Sequence, residues 1–92
     1  MRFTWDPEKR QTNLEKHGVD FADAETVFRG VILTFEDARR NYGEQRWIAL
    51  GMLRGTVVAM AFTEPREDQI RLLSMRRATR NEQKLYYGRL PD

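Results

Sequence analysis

At 92 residues, with a formal charge of +2, 40% hydrophobic and 33% charged residues, the chain has room for one domain built on one sheet, a few helices and a modest core. Two Trp, three Tyr and five Phe set it apart from disordered chains. The lack of cysteine removes disulfides and thiolate metal sites, a single histidine removes a His-rich zinc site, and no apolar run approaches the ~18–20 residues of a membrane span.

In chain order, Arg2 to Trp5 reads as a short first strand. Asp6-Pro7 then offers an N-cap carboxylate followed by proline at the first helical position, and the helix should run to about His17, with Gly18 as its left-handed stop. Between Pro7 and His17 the only aliphatic residue is Leu14, so this helix lacks the apolar stripe that usually holds a helix to a core. Leu14, Trp5 and Phe21 are expected to anchor it, which leaves Lys9, Asn13, Lys16 and His17 as a polar face. A second helix follows at once. Asp20 caps it, Val19 and Ala24 sit at staple spacing, Phe21, Ala24, Val27 and Phe28 form an apolar face, and Gly30 ends it.

From Val31 the apolar period shortens from roughly 3.6 to about 2 residues. "VILTFED", "QRWIALGML", "TVVAMAFT" and "QIRLLSMR" read as strands, separated by "ARRNYGE", a tight "RG" hairpin and "EPRED". Short connections imply an antiparallel meander. The chain closes with a helix over "TRNEQKLYYG", where Thr79 and Glu82 have capping-box spacing and Gly88 is a stop. The expectation is a single α+β domain over residues 1–92, β-α-α-β-β-β-β-α, with helices on one face of an antiparallel sheet. "MRFTWDPEKR" has no signal-peptide apolar core, so a cytoplasmic location is expected.

Thirteen Arg stand against three Lys. The planar guanidinium suits bidentate contacts to phosphate or carboxylate, although a GC-rich genome yields the same skew. Strict alternation along the strands puts Arg46 on a side with Ile48 and Leu50. It also groups Arg71 with Leu73, Met75 and Arg77, and Arg76 with Ile70, Leu72 and Ser74. Neither strand has a cleanly polar side. Arg46 or Arg71 could pair with Glu44 or Asp37 to fix register, whereas Arg71, Arg76 and Arg77 at the end of the last strand could form an anion site. Glu64, Glu67 and Asp68 around Pro65 read as a solvated turn rather than a cation site. His17, the only imidazole, sits where it would also favour the helix dipole. In the last helix, Leu85 and one tyrosine should dock on the sheet, and the other tyrosine is free to stack a base.

Three segments, "FTWDPEKRQTNLEKHGVDFADAETVF", "YGEQRWIALG" and "IRLLSMRRATRNEQKLYY", together resemble the BrnT family of bacterial type II toxins in order and nearly end to end. The matching residues are Trp5-Asp6, Lys9, Asn13, Lys16 to Val19, Phe21, Ala24 and Val27-Phe28. Further on they are Glu44, Arg46 and Gly51, then Arg71, Ser74, Arg76 to Ala78, Glu82 and Tyr86. "FRGVI" and Met75 depart from the family pattern, in a connection and in a strand.

The resemblance implies a ribonuclease toxin with a RelE-like fold. Its partner would be a BrnA-like antitoxin, a ribbon-helix-helix DNA-binding protein through which alone operator DNA is bound. It implies RNA cleavage without metal or other cofactor, by attack of the 2′-hydroxyl, and inhibition of translation. With one histidine, a paired-imidazole mechanism is excluded. The expected catalytic set is Arg46, Arg76 and Arg77 on the scissile phosphate with Glu44 or His17 moving the proton; Lys9, Asn13, Lys16, Arg71 and Tyr86 are expected to bind RNA. A non-catalytic basic module covered by a partner protein or RNA is the alternative. An independent DNA binder is disfavoured, since no helix-turn-helix or ribbon-helix-helix pattern is visible.

Overall fold

A computed structural model describes residues 1–39, 41 and 43–90. Its first helix begins and ends where local chemistry dictates. Asp6 accepts a hydrogen bond from the Glu8 N–H at 2.9 Å ahead of α1 (Pro7–His17), and Gly18, at φ 69°, donates its N–H back to Leu14 O at 2.8 Å. Asp20 caps a 3₁₀ turn (Phe21–Asp23) that runs into the short helix α2 (Ala24–Arg29), so the second helix is tighter at its start than expected. The reciprocal box of Thr79 and Glu82 opens α3 (Arg80–Arg89), which continues through Gly88 instead of stopping there.

Five strands form one sheet: β1 (Arg2–Thr4), β2 (Ile32–Glu36), β3 (Trp47–Leu53), β4 (Thr56–Thr63) and β5 (Gln69–Arg77), in the order β1-β5-β4-β3-β2. β2 to β5 form the expected meander, and Arg54 and Gly55 both take positive φ in the hairpin between β3 and β4. β1 lies parallel to β5, Phe3 opposite Ile70, so the α+β sheet is mixed rather than purely antiparallel.

The helices divide between its two faces, which corrects the expected one-sided packing. Val19, Phe21, Ala24 and Val27 pack on Ala49, Val58, Met60, Phe62, Leu72 and Met75 on one side. Tyr86 of α3 packs on Ile48, Leu50, Val57 and Ala59 on the other. Alternation makes this possible, because β3 and β4 are apolar at odd and even positions alike and need covering twice. The α2 contact is close: a Cβ on Gly51 would lie 2.5 Å from Val27 Cγ1. Phe28 links the layers' rim by ring contacts to Phe3 and Phe62 at 5.3 and 5.5 Å.

α1 has a different attachment from the one expected. Leu14 is 37% exposed and anchors little. Asn13, 7% exposed, holds the helix by three hydrogen bonds: Nδ2 donates to Val19 O (3.0 Å) and Met75 O (2.7 Å), and Oδ1 accepts from Met75 N–H (3.1 Å). One amide thus occupies both backbone groups of Met75, on the stretch of β5 that β1 is too short to reach. Arg10 adds a forked pair to Asp20 at 2.8 and 3.0 Å and lies 5.8 Å from the Trp5 ring centroid.

Candidate functional site

One irregularity sets where the arginines point. Ser74 pairs with Ala61, but Leu72 pairs with Phe62, so Leu73 is an extra residue in β5. Past this bulge the alternation is inverted. Arg71, opposite Thr63, joins Ser74 and Arg76 on the α3 face, while Arg77, opposite Val58, joins Met75 on the α1 face. The grouping of Arg71 with Met75 and Arg77 expected from strict alternation is therefore corrected.

On the α3 face, Arg46 immediately precedes Trp47, whose partner is Phe62, and Arg71 pairs with the next β4 residue, Thr63. Arg46 and Arg71 accordingly flank Thr63, two strand spacings or about 10 Å apart. Arg46 Nη2 lies 3.5 Å from Glu44 Oε1, which is half exposed. Glu44 also borders a recess of about 310 Å³ that Trp47 and Thr63 help to line. Arg39 reaches the same region: it forks onto the buried Asp37 carboxylate at 2.8 and 2.9 Å, and its charge is felt at Arg76. Arg39 carries no signal in the sequence, because it falls in the turn-rich "ARRNYGE" break where neither period applies.

Arg76 sits on this face, about four strand steps or 13 Å beyond Arg71. It is committed to α3: Nη1 and Nη2 donate to the two Glu82 carboxylate oxygens at 2.7 and 3.0 Å, and Nη1 also meets Arg77 O at 3.2 Å. That fork is the first cause that holds the Glu82 carboxyl below its ordinary range and the Arg76 guanidinium above its own; burial opposes both shifts, and the like charge of Arg39 opposes that of Arg76. Arg76 thereby ties the end of β5 to the first turn of α3.

The remaining residues of the expected site fall elsewhere. Arg77 lines a recess of about 210 Å³ on the opposite face with Gly18, Val19 and Arg54, so Arg46, Arg76 and Arg77 do not converge on one phosphate. His17 lies one helical turn beyond Asn13 on the α1 face that meets β5, toward the Arg77 end and away from Glu44. Lys9 and Lys16, one helical turn to either side of Asn13, are exposed. Two of the residues expected to contact RNA are buried. Asn13 spends its amide on Val19 and Met75, and Tyr86, 3% exposed, spends its hydroxyl on Val31 O at 2.8 Å. The outward tyrosine is Tyr87, 51% exposed. Among the described residues no three His, Asp or Glu side chains gather in a metal-ligand group, and no helix is long and apolar enough to cross a membrane.

A face carrying Arg39, Arg46 and Arg71 beside a carboxylate suits a bound phosphodiester with one proton acceptor at hand. The family model described as "Ribonuclease toxin, BrnT, of type II toxin-antitoxin system" matches residues 5–82. The 1.1 Å crystal structure of the Brucella abortus ribonuclease toxin BrnT is similar in fold, with a TM-score of 0.65 and 31% identity over 87% of this chain and 99% of that one. Comparison with curated proteins gives no match.

Proposed function

This chain belongs to the BrnT family of ribonuclease toxins of type II toxin-antitoxin systems, and from that premise we propose that it cleaves RNA on the α3 face of its sheet, with Glu44 and Arg46 at the centre. The family is one of endoribonucleases, and a type II system sets its toxin against a protein antitoxin. The finer statements are our reading. The RNA's own 2′-hydroxyl attacks the adjacent phosphorus as Glu44 accepts its proton, and the P–O5′ bond breaks with the leaving 5′-oxygen taking a proton from water, yielding a 2′,3′-cyclic phosphate and a 5′-hydroxyl end without a metal. Arg46 faces the charge that grows on the phosphorane, and Arg71 and Arg39 hold neighbouring phosphates. Arg76 acts through Glu82 to keep α3 in place and is a positioning residue. A BrnA-like ribbon-helix-helix antitoxin would cover this face in the cytoplasm and carry the only contact with operator DNA.

The observation that carries this reading is the shared orientation of Glu44, Arg46 and Arg71 about Thr63. The purified chain, incubated with RNA in EDTA, should release fragments ending in cyclic phosphate. Glu44→Gln and Arg46→Ala should slow this by ~10²–10⁴-fold with the fold intact, and His17→Ala should leave the rate within a few-fold.

A second reading puts the centre at the recess lined by Arg77, near the C-terminal end of α1 and its imidazole. Loss of cleavage in His17→Ala and Arg77→Ala, with Glu44→Gln fully active, would transfer the site to that face.

A further inference from the structure

β2 ends the strand order, and among the described residues no backbone group pairs with its outer edge. At the opposite end the edge strand β1 is only three residues long, and beyond it Asn13 occupies the outer backbone groups of β5 at Met75. The phase of the open edge is fixed by one bond: the Asp37 N–H donates to Arg46 O at 2.8 Å. Counting back in steps of two, Phe35 and Leu33 turn their backbone groups toward β3, while Glu36, Thr34 and Ile32 turn theirs outward. Apart from its shortness and the charge of Glu36 at its end, the edge carries little of the usual protection. "ILTF" has no charge and no proline, Phe35 is 36% exposed, and Val31 just before the strand is 58% exposed.

We propose that this edge pairs with β2 of a second copy of the chain, antiparallel about a two-fold axis through Thr34. The proposal is independent of the catalytic reading. The phase allows a two-fold centre at any of the five strand residues, and a centre at Leu33 or Phe35 leaves two of the five without a partner on β2 of the second copy. One at Glu36 sets two carboxylates face to face, and one at Ile32 runs Phe35 and Glu36 against α2 rather than a strand. The centre at Thr34 leaves nothing over. Thr34 exchanges both hydrogen bonds with its own counterpart, and Ile32 and Glu36 exchange theirs with Glu36 and Ile32 of the second copy. Leu33 then meets Phe35 of the second copy in the closer, non-hydrogen-bonded positions. Both lie on the α3 face, so an aliphatic–aromatic contact forms twice. Beside Leu33, a recess of about 60 Å³ bordered by Val31, Tyr86 and Leu90 receives the edge of that ring. The result is a continuous sheet of twice five strands across the axis.

Association of the purified chain is measured by sedimentation velocity. A five-residue pairing is a small interface, so a dimer at about 100 μM that dissociates toward about 1 μM is expected. Thr34→Pro removes only an outward N–H and should weaken the dimer at least about tenfold without loss of fold by circular dichroism. Phe35→Lys, which keeps every backbone donor, should do the same. Because the chain has no cysteine, Thr34→Cys offers a direct readout. A hydrogen-bonded antiparallel pair brings Cα atoms to about 5.5 Å, within disulfide reach. This variant should oxidise to a covalent dimer where Thr12→Cys, on the exposed side of α1, does not. A monomer at every concentration would overturn the proposal, as would a dimer indifferent to Thr34→Pro and Phe35→Lys. Protection of the Ile32, Thr34 and Glu36 amides from exchange only when a different protein is added would also overturn it.

Discussion

Replacing Asn13 with alanine tests whether a polar residue on a polar helix works on RNA or on the fold. The substitution strips three hydrogen bonds at once and leaves the Met75 N–H, the Met75 C=O and the Val19 C=O without their partner in a site 7% exposed. A hydrogen bond contributes about 1 kcal/mol net, and a buried group left unsatisfied costs about 1–3 kcal/mol. Water entering the gap would recover part of this, so a loss of about 3–4 kcal/mol is expected. A chain of this size has a total stability of roughly 5–14 kcal/mol, so the variant should fold but sit near its limit. Urea unfolding, followed by fluorescence of Trp5 and Trp47, reads the change directly. With a slope of about 1 kcal/mol/M, the midpoint should fall by about 3 M. Asn13→Asp should be no better, since its carboxylate can still accept from Met75 N–H but faces two carbonyl oxygens. If Asn13→Ala keeps the wild-type midpoint and loses RNA cleavage, the amide serves the substrate and not the fold.

Gly51→Ala should cost about 1–3 kcal/mol in the same unfolding assay, because the new Cβ would press on the fully buried, β-branched Val27. Tyr86→Phe should cost about 1 kcal/mol by loss of its bond to Val31 O, with RNA affinity unchanged in a filter-binding assay. The carboxyl of Glu82 is held low chiefly by Arg76, so its contribution to stability is complete above its unfolded value of about 4.3 and is lost as pH falls through its lower folded value. Acid unfolding of Glu82→Gln and the parent should accordingly differ most above about pH 5 and converge at more acid pH. A gap that persists at acid pH would mean that the charge on Glu82 is not what counts.

Features that depend on a few adjacent residues could be read from the sequence. Asp6, Gly18, Asp20 and the Thr79–Glu82 box lie at the helix ends where their chemistry put them, and the period-2 runs became β2 to β5. Features that depend on distant partners could not. Nothing local reveals that β1 lies parallel to β5, or that Asn13 meets Met75 across 62 residues. Tyr86 and Tyr87 are chemically equivalent neighbours, and the docking of α3 decides which is buried. For the candidate site, Glu44, Arg46 and Arg71 were identifiable as residue types, but their common face was not. His17 and Arg77 belonged to the same set in sequence and lie on the far side of the sheet in space.

The extra residue at Leu73 makes β5 behave like a text read in two frames. Gln69 to Leu72 are read in one frame and Ser74 to Arg77 in the other, and Leu73 is the single letter that shifts between them. Removing that letter would leave every cross-strand partner on β4 unchanged, from Arg71 opposite Thr63 to Arg77 opposite Val58. Most strands tolerate single-residue deletions badly, because every side chain beyond the gap changes sides. Here the penalty would be confined to a local loss of bend and of one half-buried leucine. Length at this point of the chain is thus free to vary among sequences that keep the same arginines on the same face.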